Sequence, residues 1–331
     1  MLSRTADCLY WMARYTERAE NTARMLDVTY QTSLLPQPHE FLQQSWRKLL
    51  SISHLEALFD SRYQEMTREN ILDFMITDFG NPSSIVSCLR AARENARAIR
   101  GKITSEVWET QNATWLKISQ FLDENIQKDP TNFLEWVKYR SHLFRGVVYG
   151  TMLTNESFYF MRIGTYLERA DNTARILETK YYVHDAATNQ KSGMSQSQSS
   201  KQVDGVDGDF FDFYHWASLL RSVSAFEIYR QTYSDQITPK KIAELLIFND
   251  QMPRSLITCI NSFLDLITKV KSDRSKEIER LVGKLKAELE YSEIDEIFKE
   301  GLDVFIERFL GKINHIADEF STAYLIPLAV A

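Results

Sequence analysis

Glu17, Arg18, Asn21 and Arg24 lie within Tyr15-Thr-Glu-Arg-Ala-Glu-Asn-Thr-Ala-Arg-Met-Leu26, and the same types return as Glu168, Arg169, Asn172 and Arg175 within Tyr166-Leu-Glu-Arg-Ala-Asp-Asn-Thr-Ala-Arg-Ile-Leu177. Nine of the twelve positions are identical, 151 residues apart, and the identity covers acid, amide and guanidinium groups as well as apolar ones. A fold needing only two similar helices would repeat the apolar pattern and let the polar residues drift. The repeat therefore places one polar constellation on two helices, facing each other across a bundle.

Three chemistries are open to that constellation. In a buried ionic network, each Glu would meet an Arg of the opposite helix; such a network adds little net stability over apolar packing but fixes which helices pair. In an anion pocket, Arg24, Arg175, Asn21 and Asn172 would line the site while Glu17 and Glu168 orient the guanidinium forks. In an enzyme, Glu17 or Glu168 would act as general base, which needs a pKa raised by burial, whereas neighbouring arginines push it down.

At about 100° per residue Glu17, Asn21 and Arg24 share a narrow sector of one helix, as do Glu168, Asn172 and Arg175 of the other. A weaker third block runs from Arg90 to Arg100. Its Glu94-Asn95 echoes Glu20-Asn21, and Arg90, Arg93, Arg97 and Arg100 form a stripe opposite an apolar face. That stripe is either solvated or the entrance to an anion site. Arg254, in Met252-Pro-Arg-Ser255, sits where a helix start could hold an anion on its free N–H groups.

The elements that carry these residues read as helices throughout. The chain has 331 residues with only 11 Gly and 7 Pro, and a formal net charge of −6. Scarce breakers among runs of Leu, Ala, Glu, Arg and Lys predict an all-α fold, and the acidic balance gives no support to nucleic-acid binding. We expect helices over 3–33, 40–61, 67–79, 82–100, 104–127, 132–153 and 156–184. Others follow near 210–233, 239–248, 253–271, 274–290 and 293–324.

Thr67 and Thr238 are expected N-caps, Pro82 and Pro239 first-turn prolines, and Ser292 with Asp295 a capping box. The polar segment 185–208 reads as a flexible loop. It divides a bundle of residues 1–184, holding both copies of the motif as an internal pseudo-repeat, from a second packed helical unit, 209–331. One continuous domain is the alternative. No H-E-x-x-H, Glu-x-x-His, Walker or G-x-G-x-x-G pattern occurs, so we expect neither metal nor cofactor. Cys8, Cys88 and Cys259 are expected to be free thiols. The amino-terminal turns are too charged for a signal peptide, and the apolar tail is too short for a membrane span.

Together Tyr15–Leu26, Ala92–Arg100, Tyr166–Leu177, Trp216–Tyr229 and Pro253-Arg-Ser255 resemble the Alpha-E family, an all-helical bacterial domain named for its Glu-Arg motif. The resemblance implies a cytoplasmic bacterial protein; relatives are often encoded beside, or fused to, a circularly permuted ATP-grasp ligase and a transglutaminase-like protease, a context that suggests a role in making or processing a peptide or peptide tag. It supplies no catalytic residue. From the residues themselves we expect an accessory protein that binds an anionic peptide-like or phosphate-bearing intermediate, or docks the ligase. An enzyme using Glu17 or Glu168 and a purely structural subunit remain the alternatives.

Overall fold

A computed structural model describes residues 1–36, 39–123, 126, 129–193, 207–234, 236–270 and 275–325, with side chains left out at 39, 123, 180–193 and 207–212. Among the described residues there are fifteen α-helices and no strand. They are α1 (Ser3–Ser33), α2 (His39–Ile52), α3 (Glu56–Arg62), α4 (Arg68–Ile76), α5 (Ile85–Ala98), α6 (Ser105–Asp123), α7 (Thr131–Thr151) and α8 (Glu156–Gly193). Then follow α9 (Asp207–Ser222), α10 (Phe226–Tyr233), α11 (Pro239–Phe248), α12 (Leu256–Ile267), α13 (Ser275–Tyr291), α14 (Ile294–Glu300) and α15 (Leu302–Phe320). No described helix is long and apolar enough to cross a membrane. All three cysteines are free and buried.

The long helices α1 and α8 form the centre. Helix α1 lies against α5, α7, α8 and α9, while α8 also carries α2, α12 and α15. Ala13, Ala19, Ala23, Ala170 and Ala174 of these two helices are almost wholly buried. At Gly164 an added Cβ would stand 2.4 Å from the carbonyl oxygen of Tyr10, so the two backbones approach as closely as glycine allows. Phe320, fully buried, joins this centre to the C-terminal helices, with its ring 5.3 Å from Tyr10, 5.8 Å from Phe160 and 6.1 Å from Phe263.

Several expected helices are interrupted, each for a local reason. The stretch expected over 40–61 breaks at His54, whose φ of 52° is left-handed. Leu55 N–H reaches back to Leu50 O at 3.0 Å, and His54 N–H to Ser51 O at 2.9 Å, a Schellman stop without the usual glycine. The helix expected over 210–233 breaks the same way at Ser224, with Ala225 N–H on Leu220 O at 2.7 Å. That over 293–324 breaks at Gly301, whose φ of 111° suits glycine alone.

Some caps also differ. Thr67 and Thr238 cap as expected, with Pro239 opening α11. Pro82 does not open α5: Ser84 is the N-cap, its hydroxyl accepting from Ser87 N–H. Nor do Ser292 and Asp295 form a capping box, since Glu293 is the N-cap without a side-chain bond and the Ser292 hydroxyl donates to Glu288 O. The loop expected from 185 is helical through Gly193, and α9 begins at Asp207. The rest of that loop, 194–206, lies outside the described residues.

The crossing makes a direct prediction. Gly164→Ala should destabilise by about 1–3 kcal/mol through overpacking. Gly146→Ala on α7, where nothing lies within 4 Å of an added Cβ, should instead stabilise by roughly 0.5–1 kcal/mol. Urea unfolding of both variants checks the pair, and equal effects would contradict the close approach.

Candidate functional site

At the α1–α8 crossing, each copy of the motif is bonded by the other. Arg18 on α1 donates to Glu168 on α8 through Nε at 2.6 Å and Nη2 at 3.0 Å. In return Arg169 on α8 donates to Glu17 on α1 through Nε at 2.9 Å and Nη2 at 3.1 Å. Both carboxylates are nearly dry, Glu17 being 2% exposed and Glu168 5%. Arg14 adds a third bond to Glu168 at 2.8 Å.

Beside Glu17 lies Glu20, fully buried, and the two acids draw in other helices. Arg145 of α7 bonds both. Arg254, in the turn before α12, reaches Glu17 at 3.0 Å, Glu20 at 2.7 Å and the Asn21 side-chain oxygen Oδ1 at 2.9 Å. That turn is itself tied to α8, because Arg169 and Thr173 donate to the carbonyls of Pro253 and Arg254. Arg254 is therefore an internal strut. The free helix start expected there is occupied by Ser255, which caps α12.

The orienting roles differ from expectation in a specific way. Arg24 and Arg175 are not held by Glu17 and Glu168. Each is taken by the acid four residues earlier on its own helix, Arg24 by Glu20 and Arg175 by Asp171. The arginines held by the motif glutamates are Arg18 and Arg169, with Arg14, Arg145 and Arg254. Arg24 also reaches His142, whose other ring nitrogen faces Arg145 at 2.6 Å. Burial, with the arginines beside it, lowers the His142 pKa.

Charge does not balance here. Six guanidinium groups, those of Arg14, Arg18, Arg24, Arg145, Arg169 and Arg254, share the three carboxylates of Glu17, Glu20 and Glu168. Burial opposes ionisation of Glu168, but Arg18 and Arg14 outweigh it and bring its pKa down to about 2. Glu17 is likewise lowered, by Arg169, Arg254 and Arg145 against its own burial and the Glu20 charge. Neither acid is tuned to take a proton near neutrality.

Against this cluster lies a cavity of about 190 Å³. Both motif copies line it: Arg18 and Asn21 from α1, and Glu168, Asp171, Asn172 and Arg175 from α8. Its remaining wall includes Ser53 and His54 after α2, and Ser83 before α5. The side-chain nitrogens of Asn21 and Asn172 are buried without a hydrogen-bond partner. Asn21 is oriented, since its oxygen accepts from Arg254 and its N–H groups must point away.

Other expected site residues lie apart from this cavity. Arg24 lines a different one, of about 400 Å³, with Asp27, Lys138 and Arg221. None of Arg90, Arg93, Glu94 and Arg97 lines the cavity between α1 and α8. Arg93 donates to Asn112 and Glu94, Arg97 pairs with Glu94, and Arg90 stacks 4.5 Å from the Phe79 ring. Arg14, Glu20 and Arg145 join the network beyond the expected site residues. Only Glu20 left a trace, in the acid-to-arginine spacing of four that both motif copies share.

The lowered Glu168 pKa has a stability consequence. A carboxyl depressed from 4.5 to about 2 stabilises the fold above pH 4.5 and loses that contribution as the pH falls towards 2, by roughly 3 kcal/mol in all. The advantage of wild type over Glu168→Gln in urea unfolding should shrink across that window. An advantage independent of pH would mean Glu168 is not held by its arginines.

A family model described as "A predicted alpha-helical domain with a conserved ER motif" matches residues 1–325. No curated protein and no solved structure gives a match. With the match running over almost the whole chain, and Glu-Arg pairs at the centre of the bundle, the protein belongs to the Alpha-E family.

Proposed function

We propose that the protein is a binding rather than a catalytic component, and that the cavity between α1 and α8 receives a carboxylate or phosphate group. The observation that carries this reading is the pair of buried, unpartnered carboxamide nitrogens, Asn21 and Asn172, one from each copy of the motif and both in the wall of one cavity. A buried donor without an acceptor costs about 1–3 kcal/mol. Both donors belong to residues that wall one cavity, and an acceptor arriving from outside would relieve that cost.

The charge excess selects the acceptor. Arg18 and Arg175 line the same space together with the acids they bond, Glu168 and Asp171, while behind Arg18 the arginine cluster outnumbers its carboxylates, which favours an oxyanion over a neutral carbonyl. At about 190 Å³ the cavity falls below the roughly 300 Å³ of drug-sized sites. It suits one anionic group, free or at the end of a longer molecule. The rival role for Glu17 or Glu168 as general base is disfavoured by their lowered pKa values.

The family resemblance adds the setting: the anion would belong to a peptide-like or phosphate-bearing intermediate, passed to or from an ATP-grasp-type ligase or a transglutaminase-like partner in a bacterial peptide system. Titration calorimetry with acetate and with inorganic phosphate separates the two oxyanions. Asn172 makes no side-chain hydrogen bond among the described residues, so Asn172→Leu should leave apo stability unchanged or raised while weakening anion binding about tenfold, the value of one charge-assisted donor. A purely structural network would show the reverse, a lower melting temperature with no anion binding to lose.

A further inference from the structure

The anion cavity adjoins a larger one, of about 510 Å³, whose wall includes Arg47, Lys48, Ser51, His54, Glu56 and Glu178. His54 lines both. Helix α8 also runs past both, offering Asp171, Asn172 and Arg175 to the small cavity and Glu178 to the large one. From Arg175 to Glu178 is about 5 Å along the axis, a separation within the reach of a single extended molecule.

Lys48 distinguishes the larger cavity. Its neighbour Arg47 is neutralised by Asp60, with Nη1 at 3.0 and 2.9 Å from the two carboxylate oxygens. Lys48 is half-buried, and among the described residues no carboxylate pairs with it, Glu56 and Glu178 included. Burial alone lowers its pKa to about 8. An ammonium drawn out of water without a counter-ion is costly unless a bound anion supplies one. At the junction, the chain keeps an imidazole at a left-handed position, φ 52°, where glycine would fit without strain.

Resting on the anion reading of the small cavity, we infer that the two cavities form one bipartite site for a linear molecule with a carboxylate at each end. One end group occupies the Asn21–Asn172 cavity. The other pairs with the Lys48 ammonium, and the connecting chain passes His54. The ligand class is thus a dicarboxylate, either an aliphatic diacid or a short peptide with a second acidic group.

Calorimetric titration of the intact protein with acetate, glutarate and pimelate tests this. At least one diacid should bind about tenfold or more tighter than acetate, the gain expected from a second charged contact. Lys48→Met should erase that advantage and leave acetate binding intact, while Lys48→Arg keeps most of it. The inference is overturned if acetate binds but no diacid gains on it, or if Lys48→Met leaves the gain in place; the small cavity's role survives either result. Absence of binding by acetate, phosphate and both diacids would instead remove the anion site on which the inference rests.

Discussion

Glu17 and Glu168 sit at the crossing of two long helices where neither has water to turn to. Arg169 and Arg18 reach across to bond them, each helix supplying the counter-charge for the other's acid. An unpaired buried carboxylate or guanidinium costs several kcal/mol, so every other placement of α1 on α8 is penalised. Gly164 against the Tyr10 carbonyl lets the backbones come close enough for both exchanges at once. Register, crossing and ionic pairing are therefore one constraint. The C-terminal helices join through it as well, since Arg254 enters the same network from the turn before α12.

The exchange over-supplies positive charge. Two glutamates and two arginines would have sufficed for a clasp, yet Arg14, Arg24, Arg145 and Arg254 are also present, with only Glu20 added. That surplus depresses the acids and makes them poor proton acceptors. It also leaves guanidinium groups in excess of carboxylates beside a cavity whose lining includes two residues with unpartnered carboxamide nitrogens. A device that only held helices together would gain from fewer arginines. That surplus is what the proposed anion site rests on, with walls held by hydrogen bonds and ion pairs that need no ligand to form.

Much of this was legible in the sequence, for identifiable reasons. Long breaker-free stretches gave α1 and α8 nearly to the residue at their starts, and the repeat of Glu-Arg and Asn at matching positions pointed to a shared polar interior. The pairing of each Glu with an opposite Arg was one expectation drawn from it. Which Arg was harder. Angular position on one helix favoured Arg24 and Arg175, but acids at Glu20 and Asp171, one turn earlier, capture them within the helix. Arg18 and Arg169 point sideways on their own helix and inward only once the partner is placed. Arg145 belongs to no motif, so only packing of α7 could reveal it. The breaks at His54 and Ser224 were hidden because neither carries the glycine that marks a left-handed stop.

The central claim is that an oxyanion completes the α1–α8 centre, and anomalous diffraction from crystals soaked in selenate tests it most directly. The account predicts a selenium peak in the cavity, with selenate oxygens about 3 Å from the side-chain nitrogens of Asn21 and Asn172. A cavity holding only water, with selenate bound elsewhere on the surface, would contradict it.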